Sequence, residues 1–283
     1  MFNQEELDLF ITNALHEDVR EGDHSSLASI DKNTQGKARL LVKDSGILCG
    51  LEIAKAIFQK VDSNLRMEIH ITEGSAIQYG DIAFHVFGSA ISILTAERLV
   101  LNCMQRMSGI ATKTNEYVQA ISSTHTKVID TRKTTPNLRF LEKYAVTVGG
   151  GFNHRFGLYD MIMLKDNHID FCGGITKAVQ KVLEYLKVNN LDLRIEVETR
   201  NIENVREVLK CGGIHRIMLD NFTPEKVKEA VDLINGKYET EASGGITLET
   251  IRPYAEAGVD FISVGAITHS VRSLDLSLKA EIG

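Results

Sequence analysis

The sequence predicts an α/β protein in two parts, a mixed half of strands and helices followed by a (β/α) barrel. Three observations support this: the length of 283 residues, the content of 43% hydrophobic and 25% charged residues, and a change of pattern near residue 127. A chain of this length forms roughly two average domains or one barrel-sized domain. The composition is that of an ordinary globular protein, which excludes disorder, a collagen-like fibre and a disulfide scaffold.

The first part, up to about residue 110, mixes both kinds of element. Its opening residues and segment 51–61 have the apolar spacing of amphipathic helices. Segment 91–122 also has a helical pattern, and we expect a break in it at Ser108 and Gly109. Strand-like segments are 36–50, with a turn at 44–46, and then 67–72 and 82–88. The first part is therefore expected to be an antiparallel sheet with helices packed on it.

From about residue 127 onwards, short apolar strands alternate with amphipathic helices. Strands that are apolar on both faces and alternate with helices are typical of a parallel sheet covered by helices. The regular repeat favours a (β/α) barrel, with a doubly wound open sheet as the alternative. The six strand segments are KVIDTRK, MIMLKDN, RIEVETR, RIMLDN, YETEASGG and FISVGA.

Each of these strands ends in polar residues or glycines. In barrels the active site lies at the carboxyl ends of the strands, where the loops converge. Six polar strand ends in succession therefore predict one shared site. The strand-end residues are Thr131–Lys133, Lys165–His168, Glu198, Asp220 and Asn221, Ser243–Gly245, and Gly265 and Ala266.

The earlier strand ends carry many cations in a chain whose formal net charge is −6. Arginine binds carboxylates and phosphates through two parallel hydrogen bonds, and lysine acts as a point charge. The cluster predicts a small molecule with several negative charges; a solvated face with scattered ion pairs is the alternative. The cationic residues are Arg132, Lys133, Arg139, His154, Arg155, Lys165 and His168.

The later strand ends carry carboxylates and then glycines. Glu198 and Asp220 can hold Mg²⁺, ribose hydroxyls or both, although they can also cap helices that begin near 201 and 223. Glu196 faces the same side as Glu198, and it can share that role or fill a polar layer of the barrel. Segment Ser243–Gly245, before a helix expected near Thr247, and the pair Gly265 and Ala266 predict a phosphate site made of backbone N–H groups.

Together these features predict a site for a phosphorylated sugar with Mg²⁺, next to a small molecule that carries carboxylates. The sequence contains no Walker loop, no GxGxxG dinucleotide loop, no nucleophile elbow and no clustered His and Cys metal set. The acidic balance of 38 Asp and Glu against 32 Lys and Arg argues against a nucleic acid partner.

The string DTRKTTPNLRFLEKYAVTVGGGFNHRFGLYDMIMLKDNHI (130–169) closely resembles the quinolinate phosphoribosyltransferase family. The segments AERLVLNCMQRMSGIAT, EVE, MLDN, EASGGI and GVDFISVGAITHS are similar to other parts of that family. One departure is Asn137, where the family usually has glycine, and asparagine tolerates the same left-handed backbone.

This resemblance implies a fold and an assembly. Residues 1–112 would form an α/β sandwich domain to which 271–283 return, and 113–270 would form an open barrel related to the TIM type. It also implies a homodimer, or a multiple of dimers, in which the active site is shared between subunits.

The resemblance implies a reaction too, the transfer of the phosphoribosyl group of 5-phosphoribosyl-1-diphosphate to quinolinate, with release of pyrophosphate and CO₂ and formation of nicotinate mononucleotide. Lys133 would serve the pyrophosphate side, and Lys165 is the candidate proton donor after decarboxylation. The implied quinolinate ligands are Arg132, His154, Arg155 and Lys165, with Arg98 from the neighbouring subunit. Glu198 and Asp220 would hold ribose hydroxyls and the Mg²⁺ complex, and Ser243, Gly244, Gly245, Gly265 and Ala266 would hold the 5′-phosphate.

Three alternatives stay open. One is a Schiff-base aldolase with Lys165 as the reacting lysine, the second is a relative of the same fold that has changed substrate, as in the molybdenum-transport-associated relatives, and the third is a non-catalytic binding protein. We also expect a cytoplasmic protein with reduced thiols, no secretory signal and no membrane span. Seven histidines without a motif around them are expected to be structural: His16, His24, His70, His85, His125, His215 and His269.

Overall fold

The computed structural model describes residues 3–281. The first elements are α1 (Gln4–Asp18), α2 (His24–Ser29), β1 (Gln35–Val42), β2 (Gly46–Ile47), α3 (Leu51–Val61), β3 (Arg66–Ile69), β4 (Ala76–Ile77), β5 (Ile82–Ser89) and α4 (Ala90–Ala120). There follow β6 (Lys127–Ile129), α5 (Arg139–Val148), β7 (Ile162–Leu164), α6 (Asp166–Cys172), α7 (Ile175–Asn189), β8 (Ile195–Thr199), α8 (Ile202–Cys211) and β9 (Arg216–Asp220). The last are α9 (Pro224–Ile234), β10 (Glu239–Ser243), α10 (Ile251–Glu256), β11 (Phe261–Ser263), α11 (Ala266–His269) and β12 (Leu276–Glu281).

The chain forms two compact units. The first contains residues 3–115, 135–150 and 270–281, and the second contains 116–134 and 151–269. The predicted domain boundary at residue 112 stays a prediction, and residues 1, 2, 282 and 283 of the predicted domains lie outside the described range. The two compact units differ from the predicted domains in segment 135–150, which packs with the first unit. There the buried Glu142 pairs with Arg106 at 2.8 Å, a contact between distant parts of the sequence.

The first unit is built on a four-stranded antiparallel sheet with the strand order β12-β1-β5-β3. The last strand, β12, returns to pair with β1 along the register Lys37 with Glu281 to Val42 with Leu276. Helix α3 covers the sheet with its apolar face, and the rings of Phe58 and Phe84 meet edge to face at 6.0 Å. Aliphatic and aromatic burial of this kind stabilises the unit.

The expected break at Ser108 and Gly109 is wrong, because α4 runs without interruption from Ala90 to Ala120. Ser108 is fully buried, and its hydroxyl bonds the backbone of Cys49 at 2.9 and 3.1 Å. A Cβ on Gly109 would lie 2.4 Å from the carbonyl oxygen of Arg272. The glycine therefore allows the close approach of another segment, which a sequence pattern cannot distinguish from a break.

The second unit is built on a six-stranded parallel sheet with the strand order β6-β11-β10-β9-β8-β7. An isolated parallel bridge between Ile129 and Phe152 adds a further segment beside β6. Strands β7 to β11 lie in chain order and β6 adjoins β11, whereas a doubly wound sheet reverses its order at a switch point. The predicted α/β class, with an antiparallel sheet in the first part and a barrel-type parallel sheet in the second, is confirmed.

Local sequence explains where the helices of the second unit begin. Asn201 accepts a hydrogen bond from the N–H of Asn204 at 2.9 Å and caps α8. Thr223 caps α9, and Pro224 takes its first position. The helix expected near Thr247 is wrong, because α10 begins at Ile251 and residues 247–250 form a turn that Thr250 stabilises.

Over residues 3–281, none of the helices combines the length and the apolar character that crossing a bilayer requires. All four cysteines are free thiols; Cys49 and Cys103 are buried, and Cys172 and Cys211 are partly exposed.

Candidate active site

The carboxyl ends of the parallel strands surround a cavity of about 790 Å³ in the second unit. Twelve predicted site residues line it: Arg132, Lys133, His154, Arg155, Lys165, Glu198, Asp220, Ser243, Gly244, Gly245, Gly265 and Ala266. The thirteenth, Arg98, is an exposed residue of α4 in the first unit. Seven segments that are distant in sequence thus contribute to one site, as expected for a barrel.

The cavity also has lining residues that sequence reasoning missed. Glu241, which lies inside β10, is one of them. His269, which was expected to be purely structural, reaches the cavity beside Gly265, where an added Cβ would lie 3.1 Å from both its ring and the stem of Lys133. The position of Glu241, two residues before Ser243 on an alternating strand, is the one signal that could have found it.

The cationic side of the cavity is formed after β6 and around Arg155. Nη1 of Arg155 donates to the carbonyl of Met161 at 3.2 Å, which orients the guanidinium. Burial and the neighbouring Arg132 lower the pKa of Arg155. Two guanidinium groups that repel each other across a cavity gain most from an anion placed between them, so this side is suited to a polyanion.

The floor of the cavity is a buried cluster of charges. Nε2 of His154 lies 3.0 Å from Glu196 and 3.2 Å from Glu241, and both carboxylates are fully buried. Arg216 lies 2.9 Å from the same oxygen of Glu241, and its guanidinium stacks on the ring of Phe261. Opposite charges thus alternate across the interior of the sheet.

The cluster shifts the pKa of each of its members. Burial alone would lower the pKa of His154, but the two carboxylates outweigh it and raise the pKa to about 9. The backbone N–H of Arg155 donates to Nδ1 at 2.6 Å, which favours the unprotonated Nδ1 and so opposes the shift. Burial and Glu241 raise the pKa of Glu196 to about 7. Burial also acts to raise the pKa of Glu241, yet His154, Arg216 and Ser263 hold it below its usual range.

Ligand atoms of His154, Glu196 and Glu241 lie within 4.8 Å of one another, close enough to surround a metal ion. Both edges of the imidazole are already engaged, since Nδ1 accepts from the N–H of Arg155 and Nε2 faces the two carboxylates. Arg216 already supplies a cation to Glu241. The cluster therefore balances its charge with a histidine and an arginine.

The acidic side of the cavity is formed by Glu198 and Asp220. Burial and the charge of Asp220 raise the pKa of Glu198, while Lys165, 3.8 Å away, opposes the shift. The helix caps of α8 and α9 are Asn201 and Thr223, so the alternative role of these acids as caps is wrong. Two carboxylates that repel each other at a cavity wall are suited to a cation or to hydroxyl donors.

Next to these acids lies the glycine turn Ser243–Gly245, with Gly244 at φ 100° and Gly245 at φ 61°. Asn221, itself left-handed at φ 56°, donates its N–H to the carbonyl of Ser243 at 2.9 Å and its side-chain amide to Asp220 at 2.6 Å. A Cβ on Gly244 would lie 2.3 Å from the side-chain oxygen of Asn221 and 2.9 Å from its backbone nitrogen. The turn and the carboxylate of Asp220 are thus fixed to each other through Asn221.

We expect Gly244→Ala to lower the free energy of unfolding by about 3 kcal/mol, because the new methyl group meets backbone and the φ angle disfavours it. Gly245→Ala is the matched control, since no atom lies within 4 Å of its added Cβ. The control should lose only about 1 kcal/mol, the ordinary difference for a left-handed residue. Urea denaturation measures both; equal losses would contradict the close packing of Asn221 on Gly244.

The raised pKa of His154 predicts a pH dependence of stability. A base whose pKa is higher in the folded protein than in the unfolded chain stabilises the fold fully at pH values below the unfolded pKa, here 6.5. That contribution is lost as the pH rises through the folded pKa of about 9. The stability difference between the protein and its His154→Gln variant should therefore shrink between these pH values, by on the order of 2 kcal/mol. Urea denaturation at a series of pH values measures it, and a constant difference would show that the ring is not protonated.

Comparison with known proteins agrees with this geometry. The family model described as "Quinolinate phosphoribosyl transferase, N-terminal domain" matches residues 23–108, and that of the C-terminal domain matches 110–279. The chain is 46% identical to "Quinolinate phosphoribosyltransferase [decarboxylating] 2, mitochondrial" of Nicotiana glauca, over 95% of this chain and 80% of the relative. It is 44% identical to "Probable nicotinate-nucleotide pyrophosphorylase [carboxylating]" of Bacillus subtilis, over 93% and 89%.

Solved structures agree as well. NadC from Streptococcus pyogenes superposes with a TM-score of 0.94 at 40% identity, over 99% of this chain and 97% of that one. Both family models and relatives well above 30% identity cover nearly the whole chain. This chain belongs to the quinolinate phosphoribosyltransferase family.

Proposed function

We propose that this protein transfers the phosphoribosyl group of 5-phosphoribosyl-1-diphosphate to quinolinate, with decarboxylation, and so forms nicotinate mononucleotide, pyrophosphate and CO₂ in NAD biosynthesis. The observation that carries the proposal is the division of one cavity into a cationic side, an acidic side and a glycine turn. Quinolinate is a dianion, and phosphoribosyl diphosphate has hydroxyls between two phosphate-bearing ends. Each side of the cavity therefore has a chemically matching part of a substrate.

Quinolinate would lie against the cationic side, with its carboxylates on Arg132, Arg155 and Lys165 and the charged ring of His154 below. The bidentate geometry of arginine fixes a planar carboxylate in one orientation. Once the dianion is held, its ring nitrogen is free to act as the nucleophile. The protein then contributes orientation and no covalent nucleophile of its own.

The ribosyl group would lie against the acidic side. Breaking the bond between the anomeric carbon and pyrophosphate develops positive charge on the ribose, and the carboxylates of Glu198 and Asp220 stabilise that charge. Lys133, beside the cavity, stabilises the departing pyrophosphate. The turn Ser243–Gly245, with Gly265 and Ala266, would hold the 5′-phosphate through backbone N–H groups.

The donor set also fits Mg²⁺. Glu198 and Asp220 offer carboxylate oxygens, and the mutual repulsion that raises the pKa of Glu198 would be relieved by a cation. These two residues would hold the ion through the substrate bound to it. When bound, Mg²⁺ neutralises charge on the pyrophosphate.

Decarboxylation follows alkylation of the ring nitrogen. The positively charged nitrogen accepts the electron pair that the departing CO₂ leaves at the neighbouring carbon, and that carbon then takes up a proton. Lys165 is the candidate donor, because its ammonium lies at the cavity wall, held 3.8 Å from Glu198.

The resemblance also leads us to propose a homodimer, or a multiple of dimers, in which Arg98 of one subunit reaches the quinolinate of the other. We further propose a cytoplasmic location, although plant relatives carry the words mitochondrial and chloroplastic in their names.

The deciding experiment is to incubate the purified protein with quinolinate, phosphoribosyl diphosphate and Mg²⁺ and to follow nicotinate mononucleotide by chromatography. A parallel reaction replaces quinolinate with nicotinate. Product from quinolinate alone would establish transfer and decarboxylation together. A folded protein that gives product from neither would contradict the proposal and favour a relative with another substrate.

We expect Arg132→Ala to raise the KM for quinolinate by about 100-fold, because it leaves a buried anion without its bidentate partner. The matched control is Arg252→Ala, which removes an exposed arginine of α10 whose partner is Glu256. Steady-state kinetics and thermal denaturation measure both variants. An Arg132→Ala protein that fails to fold would show that Arg132 is structural.

We expect Glu198→Ala to lower turnover by about 100-fold or more while the Kd for quinolinate changes little. Glu198 would act on the charge that develops on the ribose, and its removal leaves Lys165 more available to the dianion. Calorimetric titration with quinolinate and single-turnover kinetics separate the two effects. If the variant shows only weaker quinolinate binding, Glu198 acts on quinolinate and its assignment to the ribosyl group is wrong.

The shared site predicts that two variants that each weaken quinolinate binding complement each other when activity is measured at low quinolinate concentration. Arg98→Ala and Arg132→Ala subunits, unfolded together and refolded as a mixture, should regain about a quarter of the wild-type activity, because half of the random dimers contain one intact site. Each variant refolded alone is the control. A mixture that stays inactive would contradict the contribution of Arg98 across subunits.

A further inference from the structure

One buried acid in the barrel has no structural explanation. Glu196 on β8 exposes none of its surface, and in the described part of the chain neither of its side-chain oxygens makes a hydrogen bond. A buried carboxylate is costly unless it is paired and hydrogen-bonded. The position calls for a role other than stability.

Glu196 lies against a residue that lines the cavity. Its Oε2 lies 3.0 Å from Nε2 of His154, and this is the one ion pair within 4.0 Å that residues 3–281 provide for it. Glu241 differs, because Arg216 binds it at 2.9 Å and so gives it a second partner. The contact through which Glu196 acts most closely on the cavity is therefore the imidazole ring.

The ring of His154 is fixed from several directions. The backbone N–H of His154 donates to the buried Asp130 at 2.8 Å, and the N–H of Arg155 lies 2.6 Å from Nδ1. The two carboxylates face Nε2 on the opposite edge. Only 8% of the residue is exposed, and it lines the cavity. A small rotation of this ring would change what the bound anion meets.

We propose that Glu196, together with Glu241, is a positioning residue for the anionic substrate: it holds the Nε2 edge of His154 and so fixes the ring at the floor of the cavity. The proposal rests on the proposed function, since quinolinate is the anion that the cavity would take. Glu196 itself touches no substrate. Glu196 therefore affects the binding of the dianion and does not affect the binding of the ribosyl group.

Two substitutions at this position separate positioning from packing. Glu196→Met keeps the volume but can neither accept a hydrogen bond nor carry charge, and it should stay folded with a lowered Tm, because Glu241 still pairs with His154. Its KM for quinolinate should rise about tenfold, with the KM for phosphoribosyl diphosphate within about twofold. Glu196→Gln, which keeps a polar oxygen beside Nε2 but loses the charge, should recover part of the loss. The control is Glu239→Gln, an acid on β10 that contacts Arg216 and Arg194.

A double-mutant cycle tests whether the effect passes through the histidine. In a His154→Gln background, Glu196→Met should change the KM for quinolinate by less than about twofold. A further tenfold loss in that background would overturn the proposal, and so would a Glu196→Met protein with an unchanged KM. If the methionine variant does not fold, the same cycle is run with Glu196→Gln.

A measurement without substrate separates this proposal from the proposed function. In ¹⁵N-histidine NMR spectra, the Nε2–H of His154 should be protected from exchange in the wild-type protein and lose that protection in Glu196→Met, while Glu239→Gln keeps it. Equal protection in all three proteins would overturn the positioning role. A wild-type protein that makes no nicotinate mononucleotide would contradict only the proposed function.

Discussion

The alternation of side chains along parallel strands is the constraint from which the site follows. On β8, Ile195 and Val197 occupy one face and Glu196 and Glu198 the other, so a strand buried along its whole length carries two acids on a single face. The neighbouring strands place Arg216 and Glu241 on that same face, close enough for ion pairs. The interior of the barrel is thus filled by charges that must be arranged in pairs, and this arrangement leaves the imidazole at the base of the cavity.

The division of the cavity into opposite sides follows from the same order of strands. The cationic residues come after β6 and β7, and the acids come after β8 and β9. The glycines follow β10 and β11. The acids follow the adjacent strands β8 and β9 and the glycines follow the adjacent strands β10 and β11, whereas the cations follow β6 and β7 at the two ends of the strand order. A reaction between two anionic substrates needs this separation, because each anion must be neutralised where it binds while the charge that develops between them meets carboxylates.

Much of this could be predicted from the sequence, because strand ends and helical periods are local patterns. The strands of the barrel and twelve cavity residues belong to this class. What escaped prediction depends on contacts between distant segments. Gly109 is a place of close approach and not a helix break, His269 reaches the cavity only because Gly265 and Lys133 lie beneath it, and Asn221 joins two strand ends. The spacing of residues along the chain does not predict such contacts, although the alternation of side chains on β10 does indicate Glu241.

The interlock between Asn221 and Gly244 has a consequence for protein engineering. A library that aims to accept a differently phosphorylated ligand would naturally randomise the turn 243–245. At Gly245 an added side chain meets open space, whereas at Gly244 it meets the backbone nitrogen of Asn221 at 2.9 Å, an obstacle that no replacement of the Asn221 side chain removes. Diversity placed at Gly244 would therefore be lost to misfolded clones, and the useful freedom of the turn lies at its two other positions.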